Sequence, residues 1–427
     1  MHSVFLKPLR FTAMAIAGIL ALAACSSSPA APQIDTQEEI SHIATVNVAS
    51  DSSQAQLEQM YGGSTLAFRP EAGFAILGFT QSEGELTTLS TEVNADIAAP
   101  DVHANGSSSW ASGTSSWASG NSSWASGNSS WASGASSWAS GSTLAPESIA
   151  SLSDVRIEQA HALVSNFGLG VKVAVIDSGL DLDHPGLAGR LAPASEWKDF
   201  IDNDSTPEDE NPWGAPGQMY GHGTAVAGII AQIAPQATIL PIRVLDSWGG
   251  GKTSDAIAAI DHAISQGADV INLSLGTNGG SNSFKAMIDY ATSQNVHLIV
   301  AAGNAGNNGI DHPAKYAKSA SNSDYIMSVG SVNASKQRSS FSNHDADLEF
   351  MAPGEGIFSI FPDGQIGFFS GTSFSTPIIS GMVALGLAEG GSQNMQSYLS
   401  ASAESMTGSD NGYGIPLADL MMEALDD

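Results

Sequence analysis

The sequence predicts an α/β protein, a mostly parallel sheet with helices on both faces, preceded by a small α+β domain. Four continuous apolar runs are the first observation: VKVAVI (171–176), ATILPIRVL (237–245), ADVINLSL (268–275) and NVHLIVAAG (295–303). Runs without polar alternation suit strands covered on both faces. The second is that stretches of helical character lie between them, at 223–233, 253–266 and 283–294. Strand and helix in alternation build a parallel sheet. The third is the segment 41–100, where HIATVNVA reads as a strand and SSQAQLEQMYG as a helix. TLAFRPEAGFAILGF then reads as two strands about a turn, and GELTTLSTEVNADI as a second helix.

Taken in order, the chain opens on Lys7 and Arg10, followed by fourteen small or apolar residues at 11–24, only Thr12 excepted. That run is shorter than the ~20 residues a membrane-spanning helix needs, and it reads as an export signal. It ends Leu22-Ala23-Ala24-Cys25, with the chain's single cysteine last. This resembles a bacterial lipoprotein signal, which implies cleavage before Cys25, lipid on Cys25 and attachment to a membrane through that lipid. Residues 25–40, rich in Ser, Pro, Ala and acids, read as a tether and 41–106 as the small domain. Residues 107–142 hold an SSWASGx heptad with Trp110, Trp117, Trp124, Trp131 and Trp138 in register. Glycine in every repeat and the lack of a second apolar position exclude a coiled coil. The stretch is a linker, or a set of indoles that stack on a partner. Residues 143–427 form the large domain.

Composition narrows function. The chain of 427 residues carries 14 Lys and Arg against 43 Asp and Glu, a net charge of −29. A nucleic-acid partner needs a basic face, so none is expected. One cysteine excludes a disulfide framework and a cysteine-ligated zinc site.

The chemistry gathers at strand ends, where parallel sheets carry their sites. Asp177 follows VKVAVI. His222 stands between Gly221 and Gly223, which leave its ring uncrowded, at the head of a small-residue helix. Ser373 sits on a tight Gly-Thr turn before an apolar helix, with Pro377 expected in its first turn. A carboxylate, an imidazole and a hydroxyl are what nucleophilic acyl transfer requires.

VAVIDSGLDLDHP, GHGTAVAG and SGTSFSTP resemble the three signature motifs of subtilisin-like serine proteases, and NLSLG and VAAGN resemble two more. The resemblance covers roughly 150–420. It implies a serine endopeptidase working through an acyl-enzyme, with Asp177, His222 and Ser373 as triad and Asn304 as oxyanion donor. It implies a substrate groove at Ser274, Leu275 and Gly276 and at Ala302 and Gly303, with Asp311 near the base of a specificity pocket. It implies that 41–106 is an inhibitory propeptide and a partner of the enzyme, and that protein or peptide substrates are the others. DFIDNDSTPED (199–209) is similar to a calcium loop of thermitase-like members. This implies structural calcium at Asp199, Asp202, Asp204, Thr206 and Glu208. The resemblance also implies a mature chain that begins a fixed stretch before Asp177, which puts a self-processing cut at the Leu144–Ala145 bond. The rival reading is an inactive protein that keeps this fold as a surface binding module.

Overall fold

The computed structural model describes residues 39–80, 89–99, 146–211, 219–391 and 394–426. The export signal, Cys25, the tryptophan repeat and Leu144 lie outside the described residues. Among the described residues no helix is long and apolar enough to cross a membrane.

The small domain begins with β1 (His42–Asn47), α1 (Gln54–Tyr61), β2 (Ser64–Arg69) and β3 (Phe74–Phe79). It closes with β4 (Glu92–Val93) and β5 (Asp96–Ala98). β1 to β4 form a sheet in the order β2-β3-β1-β4, antiparallel in each pairing. Helix α1 starts where the sequence asks it to. Ser53 and Gln56 make a reciprocal capping box that satisfies two helix-end donors. Gly62 ends the helix at φ 73°.

The second helix expected at 84–97 is corrected where it falls on described residues: 92–93 and 96–98 are strands. The cause is tertiary. Each of these segments finds a partner strand, β1 for 92–93 and a distant loop strand for 96–98. Such pairing overrides weak local preference.

The large domain begins with two short helices, α2 (Pro146–Leu152) and α3 (Ile157–His161). The strands that follow are β6 (Lys172–Asp177), β7 (Lys198–Asp199), β8 (Thr238–Arg243), β9 (Gly250–Lys252) and β10 (Val270–Leu273). They continue with β11 (His297–Ala301), β12 (Ile326–Val332) and β13 (Phe350–Pro353). Seven of these form a sheet of order β13-β12-β11-β10-β6-β8-β7, parallel throughout. The order turns back after β6, which leaves a crevice at the C-terminal ends of the central strands. Helices α4 (His222–Ile233), α5 (Thr253–Ser265), α6 (Asn282–Ser293) and α7 (Thr372–Ala388) pack on the sheet. Val173, Ile176, Ile271, Leu273, Leu298 and Ile299 are fully buried between them. The apolar runs therefore became sandwiched strands, as expected.

The small domain docks on α5 and α6, where Ile43, Ala67 and Ile76 join the buried apolar core of the large domain and polar contacts frame the seam. The Arg69 guanidinium donates to Asp261 at 2.6 Å and lies 5.1 Å over the Tyr290 ring, whose hydroxyl donates to Glu71. The Glu92 carboxylate accepts from the N–H groups of Asn282 and Ser283 at the start of α6. Asn94 exchanges two hydrogen bonds with Ser254 at the start of α5. Groups from the small domain thus satisfy helix-end donors that would otherwise be unpaired.

Candidate active site

β6 delivers Asp177 at its last residue and α4 delivers His222 at its first, so both stand over the crevice. His222 Nδ1 lies 2.6 Å from Asp177 Oδ1. That oxygen also accepts from the Ser178 N–H at 2.7 Å, which fixes the carboxylate's rotation. The glycines on either side of His222 are needed by neighbours other than its ring, which is itself buried. Gly221 has φ 84°, and a Cβ there would meet the Phe361 ring at 2.2 Å. A Cβ on Gly223 would meet the Gly179 carbonyl at 2.2 Å, so β6 and α4 touch backbone to backbone beneath the Asp–His pair.

Asp209 and Ser178 tie these two elements together. Asp209 Oδ1 accepts from the Gly221 N–H, and Oδ2 accepts from the Thr224 hydroxyl at 2.8 Å. Ser178 Oγ accepts from the Gly223 N–H at 3.0 Å and donates to Asp209. Burial pushes Asp209 up to about 8, with the Asp177 charge adding to the effect. Sequence reasoning missed Asp209. Its signal was weak, one carboxylate in an acidic run.

Ser373 is the second residue of α7, after Gly371 at φ 150°. The His222 ring packs on Phe374, the next residue, with centroids 5.3 Å apart, so the imidazole stands beside the serine turn. The helix begins early enough that Pro377 falls in its second turn, not its first. That corrects the expectation, and the geometry explains how the proline is accommodated. Proline lacks the N–H that would bond the carbonyl four residues back, which is that of Ser373. Ser274 Oγ donates to this carbonyl instead, at 2.8 Å. Ser274 is held in turn by Asn272 Nδ2 at 3.0 Å, and Asn272 accepts from Ser380 on α7. The end of β10 and the serine turn are thereby locked.

Asn304 follows the end of β11. Its Oδ1 accepts both the Thr372 N–H and the Thr372 hydroxyl, each at 2.8 Å. Two donors on the oxygen assign the amide's orientation and leave its NH₂ group directed away from Thr372. Thr372 was not singled out from sequence.

The groove beside these residues is filled by the chain itself. β5 pairs antiparallel with β9, with Ile97 opposite Gly251. On its other edge Ala98 exchanges hydrogen bonds with Gly276 at 2.9 and 3.0 Å, and the Ala99 N–H donates to the Gly249 carbonyl. Gly276 thereby holds an extended segment of the chain itself. Ile97 is buried, and Asp177, His222 and Ser373 are all buried. Ser274, Leu275 and Ala302 are fully buried, and the Ala302 carbonyl accepts from the Asp311 N–H at 2.9 Å.

The acidic loop departs from expectation. Asp199 and Asp202 accept from the Arg243 guanidinium at 3.0 and 2.7 Å, and Glu210 lies 3.3 Å from it. Asp199 also caps the N–H groups of Ile201 and Asp202. Asp204 accepts from Thr206 N–H. Glu208 lies apart, pushed up to about 7 by burial and by Asp181. Among the described residues no group of three or more His, Cys, Asp or Glu side chains could hold a metal ion. The positive charge in this loop is a guanidinium.

Comparison with known proteins decides the family. A model described as the subtilase family, Peptidase_S8, matches residues 168–415. The chain is 35% identical to thermitase of Thermoactinomyces vulgaris over 252 residues, 56% of this chain and 84% of thermitase. The chain belongs to the subtilase family. This subtilase is also 39% identical to subtilisin E of Bacillus subtilis over 235 residues, 52% of the chain and 56% of that protein. It is 38% identical to a subtilisin of Bacillus pumilus over 235 residues, 78% of that relative. As a subtilase it is a serine endopeptidase, and the large parallel sheet with flanking helices is the subtilisin-like α/β fold.

Proposed function

We propose that Asp177, His222 and Ser373 are the catalytic triad of an exported endopeptidase and that Asn304 binds the oxyanion. The observation that carries the reading is the 2.6 Å contact of His222 Nδ1 with Asp177 Oδ1, next to the serine turn. A carboxylate on Nδ1–H leaves the lone pair on Nε2. Ser373 Oγ attacks the peptide carbonyl carbon and its proton passes to His222 Nε2. The carbonyl oxygen takes up negative charge against the Asn304 amide and the Ser373 N–H. Collapse breaks the C–N bond, and His222 returns the proton to the leaving amine. Water, deprotonated by the same imidazole, then releases the acyl group from Ser373. Ser373→Ala is expected to abolish casein hydrolysis and labelling by a fluorophosphonate; retention of either overturns the assignment.

The segment 41–99 acts in this proposal as an inhibitor in cis, because β5 takes the place of a substrate strand. The remaining parts are the export signal at 1–24, lipid on Cys25, the tether at 25–40 and the repeat at 107–142 as a linker to the catalytic domain. Mass spectrometry of the unprocessed Ser373→Ala chain tests the anchor: a lipidated Cys25 N-terminus supports it, and an N-terminus at Cys25 without lipid, or upstream of Cys25, refutes it. The loop 199–209 enters as an Arg243 ion-pair cluster, since its carboxylates as placed do not fit calcium. A calcium-induced rise in melting temperature that vanishes in Asp202→Ala/Asp204→Ala would restore the metal.

A further inference from the structure

A helix whose N-cap is glycine has no side chain at that position to meet its first N–H groups. Helix α4 begins in this way, on Gly221. Its donors are met from elsewhere in the chain. The His222 N–H donates to the Met219 carbonyl and the Gly223 N–H to Ser178 Oγ, each at 3.0 Å. The Gly221 N–H donates to Asp209 Oδ1 at 2.9 Å. The Thr224 hydroxyl and N–H donate to Asp209 Oδ2 at 2.8 and 3.4 Å. The Ser178 hydroxyl adds a fourth donor, 3.4 Å from Oδ1. Asp209 is itself fastened to the turn that follows β6. Its N–H donates to the Leu180 carbonyl and the Leu180 N–H donates to the Pro207 carbonyl, each at 2.9 Å. The Thr224 hydroxyl accepts in turn from the Asp181 N–H at 2.8 Å. One buried side chain therefore joins the residues after Asp177 to the backbone on both sides of His222.

We propose that Asp209 is a positioning residue for the general base: it sets where His222 stands relative to Asp177, and so where Nε2 meets the Ser373 hydroxyl. The inference rests on the catalytic reading of Asp177, His222 and Ser373. Two fixed points place an imidazole, its Cα and one ring nitrogen. Asp177 Oδ1 holds the nitrogen at 2.6 Å. Asp209 and Ser178 hold the Cα, because the N–H groups of Gly221, Gly223 and Thr224 all end on them. A glycine on each side gives that stretch of backbone little stiffness of its own. A carboxyl suits the task, since two oxygens at a fixed spacing take donors from two elements at once. Without it the start of α4 drifts from the end of β6, and the loss falls on proton transfer. A misplacement of about 1 Å costs about 10² in rate. Gly249 and Gly276, which hold extended backbone, lie outside this tie, so binding of the substrate chain is spared.

The test uses the full chain with isotope-labelled histidine, read by proton magnetic resonance and by casein hydrolysis. The proton of a short Nδ1–H···O contact resonates at low field. Wild type is expected to show such a signal, and His222→Ala to lose it. In Asp209→Ala the signal is expected to move upfield or to broaden by exchange with water, while circular dichroism stays that of wild type. Its kcat for casein is expected to fall by about a hundredfold, with KM within about twofold. Asp209→Asn keeps the volume and an oxygen for the Gly221 N–H but sets an NH₂ group against the Thr224 donors. Its kcat is expected to fall by about tenfold, and it decides the matter where Asp209→Ala fails to fold. An Asp209→Asn chain with the wild-type signal and the wild-type kcat overturns the inference, and so does a loss confined to KM. Both outcomes leave the triad standing. A His222→Ala chain that hydrolyses casein as wild type does overturns the catalytic reading and this one with it.

Discussion

At the scale of single residues, the oxyanion role proposed for Asn304 depends on the group that aims its amide. Asn304 is fixed because Thr372 supplies two donors to its oxygen, one from the backbone and one from the hydroxyl. Thr372→Val removes the second and keeps the shape. The amide then gains rotational freedom in the ground state, and the loss falls on the step where charge develops. Turnover is expected to drop about tenfold with KM nearly unchanged, and Thr372→Ser should restore it. Asn304→Ala removes the donor itself and should show the larger loss usual for such a group, about 10²–10³ in kcat. Equal effects on kcat and KM in Thr372→Val would show that the hydroxyl matters to packing rather than to aim.

At the scale of elements, buried charges decide where the sheet can fail. Arg243 ends β8 and is buried against Asp199, itself fully buried at the end of β7. Arg243→Met strands that carboxylate, which typically costs about 3–5 kcal/mol. Denaturant unfolding should show the loss in the midpoint, and a change below about 1 kcal/mol would mean the pair is not what holds the loop. Glu349, just before β13, presents the opposite case. Burial pushes it from 4.5 up to about 7, although the Gln396 amide donates to its Oε1 and the Lys318 charge opposes the rise. A carboxyl raised in the folded state binds its proton more tightly there than in the unfolded chain. The stability it lends is complete below about pH 4.5 and is lost as pH rises through about 7. The span corresponds to about 3 kcal/mol. Glu349→Gln keeps the Gln396 contact and cannot ionise, so its melting temperature should fall less than wild type's between pH 4.5 and 7. Parallel profiles would place the wild-type loss elsewhere.

At the scale of the whole molecule, what could be read in the sequence was whatever is local. Asp177, His222 and Ser373 each sit at the end of an element whose apolar pattern announces it, and Gly221 and Gly223 are needed by neighbours a few ångströms away. What could not be read depends on partners distant along the chain. β5 is a strand because β9 and Gly276 receive it, and Thr91, Val93 and Ile97 alone did not say so. Asp199 faces Arg243 across 44 positions, so its loop looked like a site for a metal. The accommodation of Pro377 depends on Ser274, 99 positions from the serine whose carbonyl it takes.

The same long-range pairing bears on maturation. Counting residues pointed to a cut after Leu144, yet the segment lying in the groove is 96–99. That strand offers Asp, Ile, Ala and Ala, followed in sequence by Pro100, and no Lys or Arg occurs between Arg69 and Arg156. A proline after the bond, with its rigid ring and no N–H, makes the end of this strand a poor place to cut. The strand then behaves as an inhibitor whose grip depends on Ile97, buried beside Gly251. Ile97→Asp puts a carboxylate into that apolar seat, where an unpaired charge is strongly disfavoured. The purified full chain should show slow hydrolysis of casein with a lag, and Ile97→Asp should start faster, by about tenfold or more if the seat is worth at least 1.4 kcal/mol. Sequencing the N-terminus over the same time course separates release from cleavage. A fast start with the segment still attached supports an inhibitor that lets go. Wild type that starts as fast as the variant shows that Ile97 does not set the grip, and wild type that becomes active only as a new terminus appears between 100 and 146 shows that cleavage, not letting go, releases the enzyme.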